Sequence, residues 1–279
     1  MNYTTVILKS CLISTQTLFC ISDKVALQKC LKGKTLFEKD DVGATQLYWR
    51  AREGDYDCTQ IILQEARRTS NVKKLVNTAH EEGDTPLYAS SFNGHTKLVE
   101  VLVSNGANTE IETNEKSTTP GTTALIVACE KGHVEIVNIL IRYGADVKKQ
   151  KEDGADCAYI AAQFNQLKIL KLILPGNPEL TERHLFKGLT ILHTAAWENH
   201  YDVAKYIIQE SNGSTFNNKQ NDYQDTPLGI AIQTEGDLKM VRLLVENGAK
   251  THLRSDNKTP LEWAKEKKKQ AIIDYLDTL

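Results

Sequence analysis

Apolar positions in this chain recur at helical spacing, in short stripes bounded by glycine and polar turns. Leu98, Val99, Val101 and Leu102 fall on one helical face, and Ile136-Val137-Asn138-Ile139-Leu140 repeats the arrangement. A second kind of segment carries small residues instead, as in Ala161-Ala162 and Ala195-Ala196, and predicts helices that neighbours approach closely. Thr85-Pro86 suits a helix start: the threonine caps orphan amides, and proline at the first helical position loses no hydrogen bond. Gly106, Gly144 and Gly248 close the apolar stripes, where a left-handed residue is wanted. The pattern predicts pairs of short helices, each with an apolar face that one pair cannot bury by itself.

A phrase marks the start of each pair. It reads Gly43-Ala44-Thr45-Gln46-Leu47, Gly83-Asp84-Thr85-Pro86-Leu87, Gly121-Thr122-Thr123-Ala124-Leu125, Gly188-Leu189-Thr190-Ile191-Leu192, Asp225-Thr226-Pro227-Leu228 and Lys258-Thr259-Pro260-Leu261. Gly154-Ala155-Asp156-Cys157-Ala158 is a degenerate copy. From Thr45 the equivalent positions are 85, 123, 156, 190, 226 and 259, so the steps run from 33 to 40 residues. Asn93-Gly94-His95 and Lys131-Gly132-His133 separate the two helices of their pairs. Asn105-Gly106-Ala107-Asn108, Tyr143-Gly144-Ala145-Asp146 and Asn247-Gly248-Ala249-Lys250 end them. With these motifs in phase, the chain resembles the ankyrin-repeat family from about residue 40 to its end. The resemblance implies an all-α solenoid of helix–turn–helix repeats joined by β-hairpin fingers, stacked so that neighbours bury one continuous core.

Seven repeats are expected, near 40–80, 81–118, 119–151, 152–185, 186–221, 222–254 and 255–279. The first has extra residues at 67–77, and the second a finger enlarged at 113–119. In the fourth, Asp156-Cys157-Ala158 replaces Thr-Pro-Leu, Asn165-Gln166 replaces Gly-His, and Pro175 and Pro178 stop its second helix early. Residues 1–39 carry no full repeat. Ser22–Leu31 is expected as a helix with Val25, Leu27 and Leu31 on its apolar side, part of a divergent N-terminal cap. A separate docking peptide is the alternative.

Composition narrows the function. A formal net charge of −2 gives no global field for nucleic acid or anionic membranes, and Lys267-Lys268-Lys269 lies among Glu262, Glu266 and Asp274 as a solvated helix face. No stretch approaches the roughly 20 apolar residues of a spanning helix. Residues 6–21 have neither a basic flank nor a cleavage site, so no signal peptide is expected, and the sequons at Asn2, Asn212 and Asn257 read as chance matches. Cys11, Cys20, Cys30, Cys58, Cys129 and Cys157 have no paired or metal-ligand spacing; they are expected to be reduced thiols in a cytoplasmic protein.

Motifs for catalysis are incomplete. Gly33-Lys34-Thr35 lacks the earlier glycine of a phosphate loop, where Gln28 stands. His80-Glu81-Glu82 lacks the second histidine of a zinc helix, Asp84 being in its place. No serine sits in a Gly-x-Ser-x-Gly setting. His95, His133, His193 and His200 occupy positions that the resemblance implies are structural, bonding loop backbone, and Tyr48 and Tyr88 share the position of His193. No catalytic residue, metal or cofactor is expected, and calorimetry with nucleotides and metals is the test of an enzymatic alternative.

What remains is surface. The resemblance implies a protein partner on the concave face, formed by finger tips and the exposed side of the first helices. The residues it points to are Arg52, Glu81, Glu82, Asp84, Phe92, Asn93, Glu130, Lys131, Phe164, Phe186, Trp197, Glu198 and Tyr223. Phe92, Phe164 and Trp197, with Phe186 and Tyr223 nearby, are expected to supply aromatic anchors. The acidic finger residues favour a basic or mixed-charge partner. A monomeric binding module is expected; the rival is an adaptor or secreted effector presenting a target to an enzyme assembly such as a ubiquitin ligase, with residues 1–39 as its second docking segment.

Overall fold

The computed structural model describes residues 21–183, 186–211 and 220–279. These residues form two compact units, divided between Ser117 and Thr118.

The first unit opens with helix α1 (Ile21–Leu31). Leu27, Cys30 and Leu31 are buried, while Val25 is 64% exposed, so the apolar face expected to include Val25 is turned toward Cys30 instead. Helices α2 (Gln46–Glu53) and α3 (Tyr56–Arg68) follow, with α1 packed on α3. The extra residues of this repeat end α3 and add a short helix, α4 (Val72–Val76). The next pair is α5 (Pro86–Phe92) and α6 (Thr96–Ser104), with α5 packed on α2.

The second unit holds four pairs and a terminal one: α7 (Ala124–Lys131) with α8 (Val134–Arg142), α9 (Cys157–Gln163) with α10 (Leu167–Ile173), α11 (Ile191–Trp197) with α12 (Tyr201–Glu210), α13 (Pro227–Gln233) with α14 (Leu238–Glu246), and α15 (Pro260–Glu266) with α16 (Gln270–Leu276). First helices pack in sequence, α7 on α9, α9 on α11, α11 on α13 and α13 on α15. After Ile173 the fourth repeat breaks into 3-10 turns at Leu174–Gly176 and Pro178–Thr181, where the prolines remove the amides a longer helix needs.

The repeated phrase works as its chemistry predicts. The side chains of Thr45, Thr85, Thr123, Thr190, Thr226 and Thr259 each accept from the backbone amide three residues on. Asp156 does the same for Tyr159 in the degenerate copy. The fingers, expected as β-hairpins, are tight turns. In one, Asp40 N–H donates to Ala44 O at 3.0 Å and Gly43 N–H to Asp40 O at 2.9 Å; the Lys151–Ala155 turn repeats this pattern. Adjacent fingers are bonded to each other, Glu81 N–H to Val42 O and Asn114 N–H to Glu82 O, with Asn114 Nδ2 also donating to Glu81 O. Among the described residues the one β-bridge is the isolated pair Ser255–Lys258. Gly83 illustrates why glycine holds its place: its φ is +87°, and a Cβ there would lie 2.7 Å from the Asn114 amide.

The cysteines are a correction. Cys30 is bonded to Cys58, joining α1 to α3, and Cys129 to Cys157, joining α7 to α9. Both pairs share a separation of 28 residues, near one repeat, which carries no signal by itself; the fold brings their Cα atoms to 5.2 and 5.6 Å. Cys11 and Cys20 lie outside the described residues.

Candidate functional site

Histidines at the Gly-His turn point back to the preceding repeat. His95 Nε2 lies 3.1 Å from Arg52 O, and His200 Nδ1 lies 3.1 Å from Ala162 O. Gln166, standing where histidine is expected, donates to Glu130 O at 3.4 Å. Lys269, in the last repeat, donates to Thr234 O and Gly236 O at 2.5 and 2.9 Å. That lysine was expected in a solvated face; its amine is instead part-buried, and burial lowers its pKa. His193 is fully buried, with Nδ1 on Thr190 and Nε2 3.1 Å from Asp225 O, a structural role as expected.

The charged site residues of the first unit form a local network. Arg52 sits over the Trp49 ring at 5.3 Å and bonds the Tyr48 hydroxyl. Tyr48 stacks on His80, with ring centroids 4.8 Å apart. Glu81 and Glu82 are exposed, while Asp84 is half-buried with Oδ1 buried and unpartnered. Burial pushes the Asp84 carboxyl up to about 6; the His80 side chain opposes the rise, Glu82 adds to it, and Arg52 opposes it.

His80, Glu82 and Asp84 bring ligand atoms within 4.8 Å of one another. Glu82 N–H donates to His80 Nδ1 at 3.2 Å, which puts the proton of the neutral ring on Nε2. That is the nitrogen 3.8 Å from Asp84 Oδ2, so in this tautomer Nε2–H faces the carboxylate and no ring lone pair is turned toward the cluster. Phe92 is 42% exposed beside Tyr88, and the Asn93 amide caps α5 by donating to Ala89 O.

In the second unit Glu130 and Lys131 pair with each other at 2.7 Å. Phe164, Trp197 and Tyr223 are 46%, 57% and 58% exposed. Lys187 lies 5.5 Å from the Tyr223 ring. Phe186 opens the 3-10 turn Phe186–Gly188, and its side chain lies outside those described. Glu198 is exposed and ends α11.

Between α9 and α11 the surface sinks into a pocket of about 260 Å³ lined by Tyr159, Gln163, Leu189, Thr194, Trp197 and Glu198, with His193 at its base. The pocket joins Gln163, Trp197 and Glu198, which the repeat pattern places late in their first helices, to Tyr159, Leu189 and Thr194, which sequence reasoning missed. Tyr159 had a usable signal: it stands three residues after its cap, as Tyr48, Tyr88 and His193 do. Its hydroxyl bonds Thr194, and burial raises its pKa; the Asp153 and Glu198 carboxylates raise it further.

The family description "Ankyrin repeats (3 copies)" matches residues 17–113, 47–151, 109–185 and 149–220, and "Ankyrin repeat" matches 223–257. The chain belongs to the ankyrin-repeat family. Ankyrin repeats are generally protein–protein interaction modules, and the fold is typically a non-enzymatic scaffold. Alpha-latrotoxin-Lg1a of Latrodectus geometricus is 32% identical over 209 residues, 74% of this chain and 15% of the toxin. Human transient receptor potential cation channel subfamily A member 1 is 26% identical over 228 residues, 80% of this chain and 19% of the channel. The chain therefore spans under a fifth of either relative. Among solved ankyrin repeat domains, that of Bcl-3 superposes with a TM-score of 0.70 at 22% identity, covering 86% of this chain and 100% of that one. The human ASB11 domain gives 0.68 at 22% identity, covering 82% and 97%. Among the described residues no helix of this ankyrin-repeat chain is long and apolar enough to cross a membrane.

Proposed function

We propose that this chain is a non-enzymatic binding module that docks a protein partner on its concave face, the side formed by the fingers and the exposed flank of the first helices. The observation that carries this reading is where large aromatic rings meet solvent. The first helices bury nearly every other apolar side chain, yet Phe92 and Trp197 end theirs exposed and Phe164 caps its own. Such rings are the commonest anchors of protein interfaces. The other contacts in this reading are the polar residues Arg52, Glu81, Glu82, Asp84, Asn93, Glu130, Lys131 and Glu198 and the aromatic residues Phe186 and Tyr223. Nucleic acid and membrane are not proposed as partners, and the module acts as a monomer.

Phe92→Ala/Trp197→Ala, with circular dichroism matching the parent, is expected to lose at least about tenfold in affinity for the protein the parent retains from lysate, as anchor truncation does. Equal retention by both proteins refutes the concave-face reading. The adaptor reading has less support, because residues 21–31 of its docking segment are a helix packed on α3 and bonded to it through Cys30. Deleting residues 1–39 is accordingly expected to destabilise the fold rather than remove a second interaction.

The cytoplasmic placement and the cysteine pairing pull apart, since cytosolic reductants keep thiols free. Acid quenching of its native cells followed by alkylation under denaturing conditions separates them, since Cys30, Cys129 and Cys157 are buried in the fold. Labelling of Cys30, Cys58, Cys129 and Cys157 without prior reduction supports the cytoplasm, and protection supports an oxidising compartment.

A further inference from the structure

The chain covers its own tryptophans with cations, with one exception. Arg52 lies over Trp49 at 5.3 Å, and Lys258 and Lys267 lie over Trp263 at 4.3 and 5.8 Å. Tyrosines follow the same habit: Lys171 covers Tyr206, Lys239 covers Tyr201, and Arg242 covers Tyr275. Trp197 is the most exposed of the tryptophans, at 57%, and among the described residues no cation lies over it. Glu198, next to it, has no ion-pair partner among the described residues. The pocket they border is about 260 Å³, the scale of one long side chain rather than a helix.

We propose that the pocket between Tyr159 and Trp197 receives one arginine side chain, presented by an extended segment of a protein partner. The proposal rests on the concave-face reading and names the partner chemistry that this part of the face selects. A guanidinium is planar, so it stacks on the Trp197 indole while its edge donates to the Glu198 carboxylate and the Gln163 amide oxygen. Its methylene stem lies along Leu189 and the Tyr159 ring. Charge complementarity supplies the direction: Asp153 and Glu198 set up a negative potential that is felt at the hydroxyl of Tyr159, which lines the pocket. Lys151 balances Asp153 at 3.0 Å, which leaves the Glu198 charge for the incoming cation. Lysine offers the same charge as a point, without the plane that the indole and carboxylate match together.

The probe is Nα-acetyl-arginine amide, titrated into the full chain while the indole N–H resonances of Trp49, Trp197 and Trp263 are followed by NMR. Nα-acetyl-lysine amide and the neutral isostere Nα-acetyl-citrulline amide are run beside it. A saturable shift of the Trp197 resonance is expected with the arginine probe alone, weakened about tenfold by Glu198→Gln, as loss of a charged partner on an aromatic face predicts. Absence of a Trp197 shift overturns the proposal. So does an equal response to citrulline or lysine, an affinity unchanged in Glu198→Gln, or equal shifts at all three tryptophans. If a partner lost by Phe92→Ala/Trp197→Ala coexists with a pocket indifferent to arginine, the concave face stands and the arginine pocket falls. If the double variant keeps every partner, the concave-face reading itself fails.

Discussion

Two buried carboxylates, Asp84 and Asp156, show how differently the same residue type is accommodated. Asp84 has an unpartnered Oδ1, and burial raises its pKa to about 6. A folded pKa above the unfolded value of about 3.9 means that stability is fully present below pH ~4 and is lost as pH rises toward ~6. Asp84→Asn escapes that loss, so its stability advantage is expected to grow between those values and to level off above them at on the order of 2 kcal/mol. Urea denaturation at pH 4 and pH 7 measures it; an advantage independent of pH refutes the assignment.

Asp156 is also raised by burial, but it caps α9 and meets Arg183 at 3.3 Å. Arg183→Ala leaves that carboxylate buried with its capping bonds alone, and is expected to cost about 1–3 kcal/mol at neutral pH. Asp156→Thr restores the usual cap, so in the double variant the Arg183→Ala penalty is expected to shrink to what the Arg183 bond to Lys148 O contributes. A double-mutant cycle with no coupling refutes the pairing. Neither situation was legible in the sequence. Asp84 was read there as part of an acidic rim and Asp156 as a degenerate letter, because burial and a partner 27 residues away appear only in three dimensions.

At the scale of the element, much of the fold was legible because one local chemistry recurs. A Thr cap, small residues on the first helix, an apolar stripe on the second and a closing glycine each have a local cause, and repetition exposes them. What escaped notice were substitutions that keep a role while changing the residue. Gln166 and Lys269 reach back to the preceding first helix as His95 and His200 do. The rule is a long side chain with a donor at that position, not histidine itself. Gln166→Ala is expected to lower stability by about 1 kcal/mol, and Gln166→His to recover it. Thermal melts of both variants decide; a histidine variant as weak as the alanine one shows that the bond contributes nothing. The pocket was less legible, since it combines side chains of successive repeats, and the sequence displays those a full period apart.

At the scale of the whole molecule, each compact unit contains one disulfide among the described residues: Cys30–Cys58 in the first, Cys129–Cys157 in the second. Each closes a sequence separation of 28 residues. The chain-entropy estimate for such a loop is about 3–4 kcal/mol, large against the marginal stability of a domain. Repeat proteins transmit stability mainly between neighbours, so the effect of each bond belongs to the elements it joins. Cys30→Ala is therefore expected to speed amide exchange in α1 and α3, and Cys129→Ala in α7 and α9, each sparing the other unit. The alanine changes also remove packing, Cys129 being wholly buried, so the parent under reductant is the necessary companion. If the bonds form, reductant lowers the parent's denaturation midpoint and leaves the double variant Cys30→Ala/Cys129→Ala unmoved. A parent insensitive to reductant means that the sulfurs are neighbours without being bonded, and the reduced-thiol reading of the sequence returns.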